Sequence, residues 1–281
     1  MAGASMKDIK LRIRSVESTM QITKAMQLVA SSKLRGARAR MEASKPYMKV
    51  ARTAVWDIAL HNTGAQSHYV IPRDISQRCY IVIAGDRGLA GSYNANMFKR
   101  IEWDSRDAAC CVIPIGRKAI EYYSRGRMSV ITSVDKVEGL TLQACGDIAR
   151  RVLESYDNGE YDEIVLAYTS FVSVLLQKTK LKPLLPLDAR DAPERTSRQM
   201  LCEPGADVLL KDFLPQYLAG LIYSAACDSF ASEQAARRVA MDSATKNAGD
   251  MIEDLSLRYN RARQSSITQE LTEIVAGAEH T

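Results

Sequence analysis

Nowhere in the 281 residues is there a run of about 18 uncharged apolar residues, the least that a helix needs to cross a bilayer. The N-terminus also lacks the short apolar core of a secretory signal, so the chain is expected to begin and remain in the cytosol. Its Arg-rich, amphipathic opening has the outline of an organelle transit peptide, but Asp8 and Glu17 lie inside it and the pattern runs on unbroken past them. The six cysteines include no CxxC pair and sit mostly in apolar surroundings such as "AACCVIPIG". They read as reduced core residues rather than as a redox switch, because no two stand together in a loop as a regulatory dithiol would. His61, His68 and His280 share no ligand spacing with these cysteines, so no metal site is expected.

Catalytic motifs are missing as well. There is no G-x-S-x-G elbow, no HExxH and no Cys/His pairing of catalytic type. The one tempting stretch is "AGDRGLAGSYNAN", residues 84–96, which follows an apolar run and leads into a helical one as phosphate loops do. Its glycines at 85, 88 and 91 fit neither GxGxxG nor GxxxxGK[ST], and they read as a tight strand-to-helix turn. Asp86 and Arg87 have no second carboxylate or histidine spaced for acid–base work. No catalytic residue, cofactor or metal is therefore expected on this chain.

What is present is charge and periodicity. The composition, 46% hydrophobic and 25% charged, is that of a folded globular protein. The net charge of +5 is concentrated early, in Lys7, Lys10, Arg12, Arg14, Lys24, Lys33, Arg35, Arg38 and Arg40. Such a cluster is a solvated helix face or a surface for an acidic partner; nucleic acid is disfavoured because no aromatics are interleaved to stack on bases. From Met6 to Leu60 the only glycine is Gly36 and the only proline Pro46. Alternating steps of four and three run through Ile9, Ile13, Val16, Met20, Thr23, Gln27, Ala30, Leu34, Ala37 and Met41, which is a coiled-coil seam with two polar interruptions. Pro46 is expected to bend or break this helix near Ser44.

A second helical pattern runs from about Asp207 to Ala276, roughly 100 Å if unbroken at 1.5 Å per residue. Its middle is crowded with small residues, from Ala225 and Ala226 through Ser229, Ser232 and Ala235 to Ala248, which suits close antiparallel packing on the first helix. Its end, "QSSITQELTEIVAGA", carries an apolar stripe at Ile267, Leu271, Ile274 and Val275 that needs something to lie against. Between the two patterns, "CYIVIAG", "CCVIPIG", "MSVITSV" and "DEIVLAYTSF" read as buried strands. "NANMFKRIEW", "RKAIEYYSR" and "TLQACGDIARRVLESY" read as crossover helices. "VSVLLQKTKLKPLLPLD" reads as an extended strand ending in a proline-rich connector, and 188–200 as an exposed polar loop. The expected fold is a long antiparallel coiled coil of helices over 1–60 and 207–281, with an inserted doubly wound, Rossmann-like α/β domain of mostly parallel sheet over 76–200.

"ITKAMQLVASSKLR" near the start and "SEQAARRVAMDSATKNAGDMIEDLSLRYNRARQSSITQELTEIVAGA" at the end closely resemble the two helices of the gamma subunit of F-type ATP synthases. "GDRGLAGSYNAN" and "LCEPGADVLLKDFLPQYL" resemble that family's middle landmarks, while 100–160 adds little beyond a similar α/β pattern. The resemblance implies a non-catalytic central rotor shaft, standing inside a ring of alpha and beta subunits and seated with the epsilon subunit on the membrane c-ring. Torque would pass along it in ATP synthesis, or in hydrolysis when reversed, and govern both ATPase activity and proton flow. It also implies that Ile267, Leu271, Ile274 and Val275 enter an apolar bearing in the alpha/beta head. By the same resemblance Arg263 and Gln264, with Thr268 and Glu270, meet a beta-subunit loop, and Met26 lies near the acidic lever of a beta subunit. The dithiol-bearing insertion of the plastid branch is missing, so thiol control is not implied. The expected setting is the cytoplasmic face of a bacterial plasma membrane, reached only through other subunits. Two other readings stay open on the residues: a nucleotide-binding enzyme built on the glycine loop, and a static coiled-coil adaptor.

Overall fold

A computed structural model describes residues 6–61, 67–71, 73–188 and 205–278; residues 189–200 of the expected polar loop, with Cys202 and His280, lie outside them. The elements in chain order are α1 (Met6–His61), β1 (Gln77–Ile83), α2 (Tyr93–Asp104), β2 (Ala109–Ile115), α3 (Arg117–Tyr123), β3 (Ser129–Val130), α4 (Leu142–Asp157), β4 (Glu163–Phe171), β5 (Gln177–Leu185) and α5 (Ala206–Ala278). They form two compact units, Met1–Ala30 with Arg238–Thr281, and Ser31–Arg237.

In the first unit α1 and α5 run antiparallel. Ile9, Thr23 and Ala30 of the seam are buried, and Ile13, Val16, Met20 and Gln27 half-buried. The two polar interruptions are matched across the pair. Thr23 Oγ1 lies 2.8 Å from Thr245 Oγ1, and Gln27 Nε2 donates to Asp242 Oδ1 at 2.9 Å. A paired polar group at a seam fixes register, because sliding by one turn would leave both partners unsatisfied.

In the second unit the same two helices share one core, in which Leu34, Ala37, Ala51 and Val55 meet Leu218, Ile222, Ala226 and Phe230. Of the two outcomes expected at Pro46, a break does not occur: α1 continues through it to His61. Proline removes one donor and costs roughly 3 kcal/mol inside a helix. Burial of Ala51, Val55, Trp56, Ile58 and Ala59 beyond it offsets that, at about 25 cal/mol per Å² of apolar surface. Close approach supports the same conclusion, since a Cβ on Gly220 would stand 2.7 Å from Met48 Sδ.

The sheet has the order β3-β2-β1-β4-β5, with the first four strands parallel and β5 antiparallel to β4. β1 and β2 pair from Gln77↔Ala109 to Ile83↔Ile115. One face packs on α2 and α3 through Met97, Phe98, Ile101, Ala119 and Tyr123. The other joins α1, α4 and α5 through Ile81, Ile113, Leu166, Ile148 and Val152. "MSVITSV" is a correction: only Ser129 and Val130 form a strand, and both are exposed. It is the edge strand, with no strand paired to its outer side among the described residues. Gly116 is obligatory at the β2–α3 turn, with φ +100 and space for a Cβ only 2.3 Å from Ala84 O. The five described cysteines carry free thiols, and Cys79, Cys111 and Cys145 are buried.

Asp162 pins the entry to β1 by accepting from Ser76 N at 2.9 Å, Ser76 Oγ at 2.7 Å and Gln77 N at 2.9 Å. The Ser76 hydroxyl and these two amides hold its carboxyl below the usual range. Its contribution is therefore full above the ordinary carboxylate pKa and is lost as pH falls through the depressed one. Asp162→Asn should flatten the acid limb of a stability-against-pH curve measured by urea unfolding, with little change in shape above neutral pH.

Candidate functional site

The residues singled out for partner contact all belong to the first unit, on two separate stretches of its helix pair. At the C-terminal stretch, Ile267 is 48% exposed, Leu271 58%, Ile274 67% and Val275 59%. The helix leaves this apolar stripe in water over about two turns, where the seam residues before it, Ile252, Leu255, Tyr259 and Ala262, are half-buried. Arg263, Gln264, Thr268 and Glu270 are exposed on the same stretch. Thr268 Oγ1 donates to the Gln264 carbonyl at 2.9 Å, and Ser266 Oγ to Glu270 Oε1 at 3.4 Å, so two of the four polar side chains are held in local hydrogen bonds.

Met26 is half-buried beside the Gln27–Asp242 contact. At 1.5 Å per residue that contact is roughly 30 Å along α5 from Arg263, so the structure does not bring Met26 and the Arg263 group into one site. It does leave apolar residues exposed on this stretch, Ile22 (57%) and Val29 (55%) one turn before and after Met26 and Leu28 (65%) on another face. Sequence reasoning passed over these three. The available signal was that "ITKAMQLV" is apolar on more than one helical face, which a two-helix seam cannot cover.

In the second unit the glycine loop is filled by the chain's own side chains. A Cβ on Gly85 would stand 3.0 Å from Glu233 Cδ and 3.1 Å from Asn94 Oδ1, and the Gly85 amide donates to that Asn94 oxygen at 2.8 Å. Asp86 accepts from the Val137 and Glu138 amides at 2.9 and 3.0 Å. Arg237 donates to the Arg87 and Gly88 carbonyls, both at 3.2 Å, and pairs with Glu233 one turn before it on α5. Glu233 and Arg237 are 1% and 6% exposed. Desolvation pushes the Glu233 carboxyl above its usual range, against the pull of Arg237. Small residues of α5 continue the attachment to β4, a use beyond the helix packing expected of this stretch. Ser229 Oγ accepts from Thr169 N at 3.1 Å, Ser232 Oγ donates to Thr169 O at 3.1 Å, and Tyr93 OH donates to Ser229 O at 3.0 Å. Hydroxyls and a buried i,i+4 ion pair thus hold the glycine turn and sheet to α5.

With this geometry in place, the comparisons are decisive. Residues 5–280 match the family model described as ATP synthase. The chain is 43% identical over 277 residues to the ATP synthase gamma chain of Ruminococcus albus, covering 96% of each protein. It is 40% identical over 285 residues to the gamma chain of Alkaliphilus metalliredigens, covering 99% of each. This chain belongs to the ATP synthase gamma-chain family. Its fold matches a chain in the Euglena gracilis mitochondrial ATP synthase, solved by cryo-electron microscopy in rotational state 3, with TM-score 0.73 at 19% identity, covering 98% of this chain and 93% of that one. As a gamma chain it is a component of an enzyme complex, and no helix among the described residues is long and apolar enough to cross a membrane.

Removing one member of a buried ion pair leaves an uncompensated charge, whereas removing both does not. Arg237→Met should destabilise the chain by about 3–5 kcal/mol, and Glu233→Gln with Arg237→Met should restore most of that loss. Urea denaturation of the single and double variants measures the difference.

Proposed function

We propose that this chain is the central rotor shaft of an ATP synthase, itself non-catalytic, carrying torque between a membrane c-ring and a catalytic head of alpha and beta subunits. In this reading segments 1–60 and 207–281 are the shaft, and the insertion over 76–200 is the foot that sits with epsilon on the ring. ATP is made in the head from ADP and phosphate, or hydrolysed when the motor runs backwards, as rotation drives successive beta sites through different conformations.

The observation that carries the reading is the exposed stripe Ile267, Leu271, Ile274 and Val275, left in water at the end of a continuous 73-residue helix. An exposed apolar stripe marks an interaction surface. A bearing suits such a surface because apolar contact is non-directional, and turning need not break a series of aligned hydrogen bonds. Torque needs the opposite kind of contact, and Arg263, Gln264, Thr268 and Glu270 supply polar, directional groups for a beta-subunit loop, as Met26 supplies a contact near an acidic beta-subunit lever. The glycine loop adds support for a non-catalytic role. Glu233 and Asn94 stand against Gly85, and Asp86 occupies the Val137 and Glu138 amides, so a phosphate there would meet carboxylates instead of open N–H groups. The chain is held at the cytoplasmic face of a bacterial membrane through its partners.

Reconstitution tests this reading. The chain alone should hydrolyse no ATP, and adding it to purified alpha and beta subunits should raise their rate. Ile274→Asp, which places an unpaired charge in the bearing, should weaken co-assembly, while Arg263→Ala with Gln264→Ala should co-assemble and turn over more slowly. Stable co-assembly with an unchanged rate would support a static adaptor instead, and ATP binding to the isolated chain in equilibrium dialysis would support the enzyme reading.

A further inference from the structure

The sequence sets no two cysteines together in a loop, but the sheet brings two of them together across strands. Cys79 of β1 and Cys111 of β2 are direct partners in the parallel register. Neighbouring strands lie roughly 4.8 Å apart, within the Cα separations that a disulfide spans. Both side chains belong to the core that the sheet shares with α1, α4 and α5. Cys110, one residue away, packs on the opposite face among the α2 and α3 residues. Neither Cys79 nor Cys111 has a part in the rotor reading.

The two sulfurs of the pair are not equivalent. A hydrogen bond between their side chains is the largest influence on each, holding the Cys111 thiol below the usual cysteine range and the Cys79 thiol well above it. The Tyr161 side chain adds a second hydrogen bond in favour of the Cys111 thiolate, while burial and Glu160 oppose it. In its protonated form Cys111 donates to the Arg78 carbonyl at 3.7 Å. Cys79 is 0% exposed and Cys111 7%, so within the pair only Cys111 meets solvent. The other described thiols are all shifted the opposite way: burial raises Cys110 and Cys227, and pushes Cys145 up to about 12. One sulfur inclined to ionise near the surface, with a protonated sulfur directly behind it, is the arrangement of an attacking and a resolving cysteine.

We propose that Cys79 and Cys111 form a reversible oxidation site, with hydrogen peroxide as oxidant and a small dithiol as reductant. The Cys111 thiolate attacks one peroxide oxygen, the O–O bond breaks, and the departing hydroxide takes up a proton to leave as water. The Cys79 sulfur then attacks the sulfur of the Cys111 sulfenic acid. An S–S bond forms, the S–O bond breaks, and the hydroxyl leaves with the Cys79 proton as a second water. Two thiols lose two electrons in all, and one peroxide gains them. A dithiol reverses the bond by thiol–disulfide exchange and is itself left as a disulfide. The bond closes β1, α2 and β2 into one loop, and in a compartment that keeps thiols reduced it is transient.

The test treats the folded full-length chain with a slight excess of hydrogen peroxide, alkylates the remaining thiols in denaturant and maps the products by tandem mass spectrometry. The chain carries Cys202→Ser, which removes the thiol outside the described residues. The expected first product is a peptide pair joined through positions 79 and 111, lighter by two hydrogens and separated again by dithiothreitol, with Cys110, Cys145 and Cys227 still alkylated. Cys79→Ala should stop at a Cys111 sulfenic acid that dimedone traps, and Cys111→Ala should slow oxidation at Cys79 by at least about tenfold. Tyr161→Phe should move the pH midpoint of Cys111 alkylation by iodoacetamide upward and leave the Cys110 profile in place. Circular dichroism before and after treatment reports that the fold is kept. Modification of Cys110 ahead of Cys111 would show that exposure alone governs reaction and would overturn the proposal. A bond made through Cys110, or Cys111 left unreacted or oxidised without pairing to Cys79, would overturn it equally. Should a variant fail to fold, the order of reaction among the native cysteines decides the question without it.

Discussion

Close packing of α1 against α5 is the constraint on which both units depend. Neither helix could be stable at such length on propensity alone, because isolated helices gain little beyond what their packed faces supply. In the first unit the contact is a seam with Thr23–Thr245 and Gln27–Asp242 set into it. In the second it is a core of alanines, leucines and Val55, with Gly220 bringing the backbones near Met48. Small residues serve both ends of this requirement. They let helices approach, and through Ser229 and Ser232 they let a sheet hydrogen-bond directly to a helix.

That second use changes how the glycine loop is understood. Its likeness to a phosphate loop comes from a shared geometric need, a tight turn from strand to helix where backbone must come close to something. Here the approaching group is Glu233 of α5, itself paired with Arg237, whose guanidinium returns to the Arg87 and Gly88 carbonyls. A buried pair of this kind contributes little net stability over an apolar core but tolerates only one arrangement. Under the proposed rotor role, a single-valued attachment of the sheet to α5 matters more than extra stability.

Much of the fold was legible because its signals are strictly periodic. The seam positions from Ile9 to Met41 are the inward-facing residues of α1, and the strands β1, β2 and β4 lie where the β-branched runs stand. Reading failed where tertiary context outweighs local rules. Pro46 sits in an unbroken helix because burial on either side of it outweighs one missing hydrogen bond. "MSVITSV" looks like a buried strand, yet its place at the sheet edge is set by strand order, which residue type does not encode. The exposed Ile22, Leu28 and Val29 were hidden by the stronger seam pattern running through the same helix. At the proposed contact sites the apolar stripe from Ile267 to Val275 was readable from periodicity, while the roles of Arg263 and Gln264 came only through family resemblance, since a polar pair on an exposed helix has no distinctive pattern of its own.

The pairing of the two ends of the chain is tested most directly by cross-linking it in place. In a variant whose native cysteines are replaced, Thr23→Cys with Thr245→Cys should form an intramolecular disulfide rapidly under mild oxidant, because those side chains are already in contact. Thr23→Cys with Ser266→Cys, about twenty residues out of register, should not. Comparable yields from the two pairs, or dimers in place of the intramolecular bond, would contradict the antiparallel pair that the rest of this account requires.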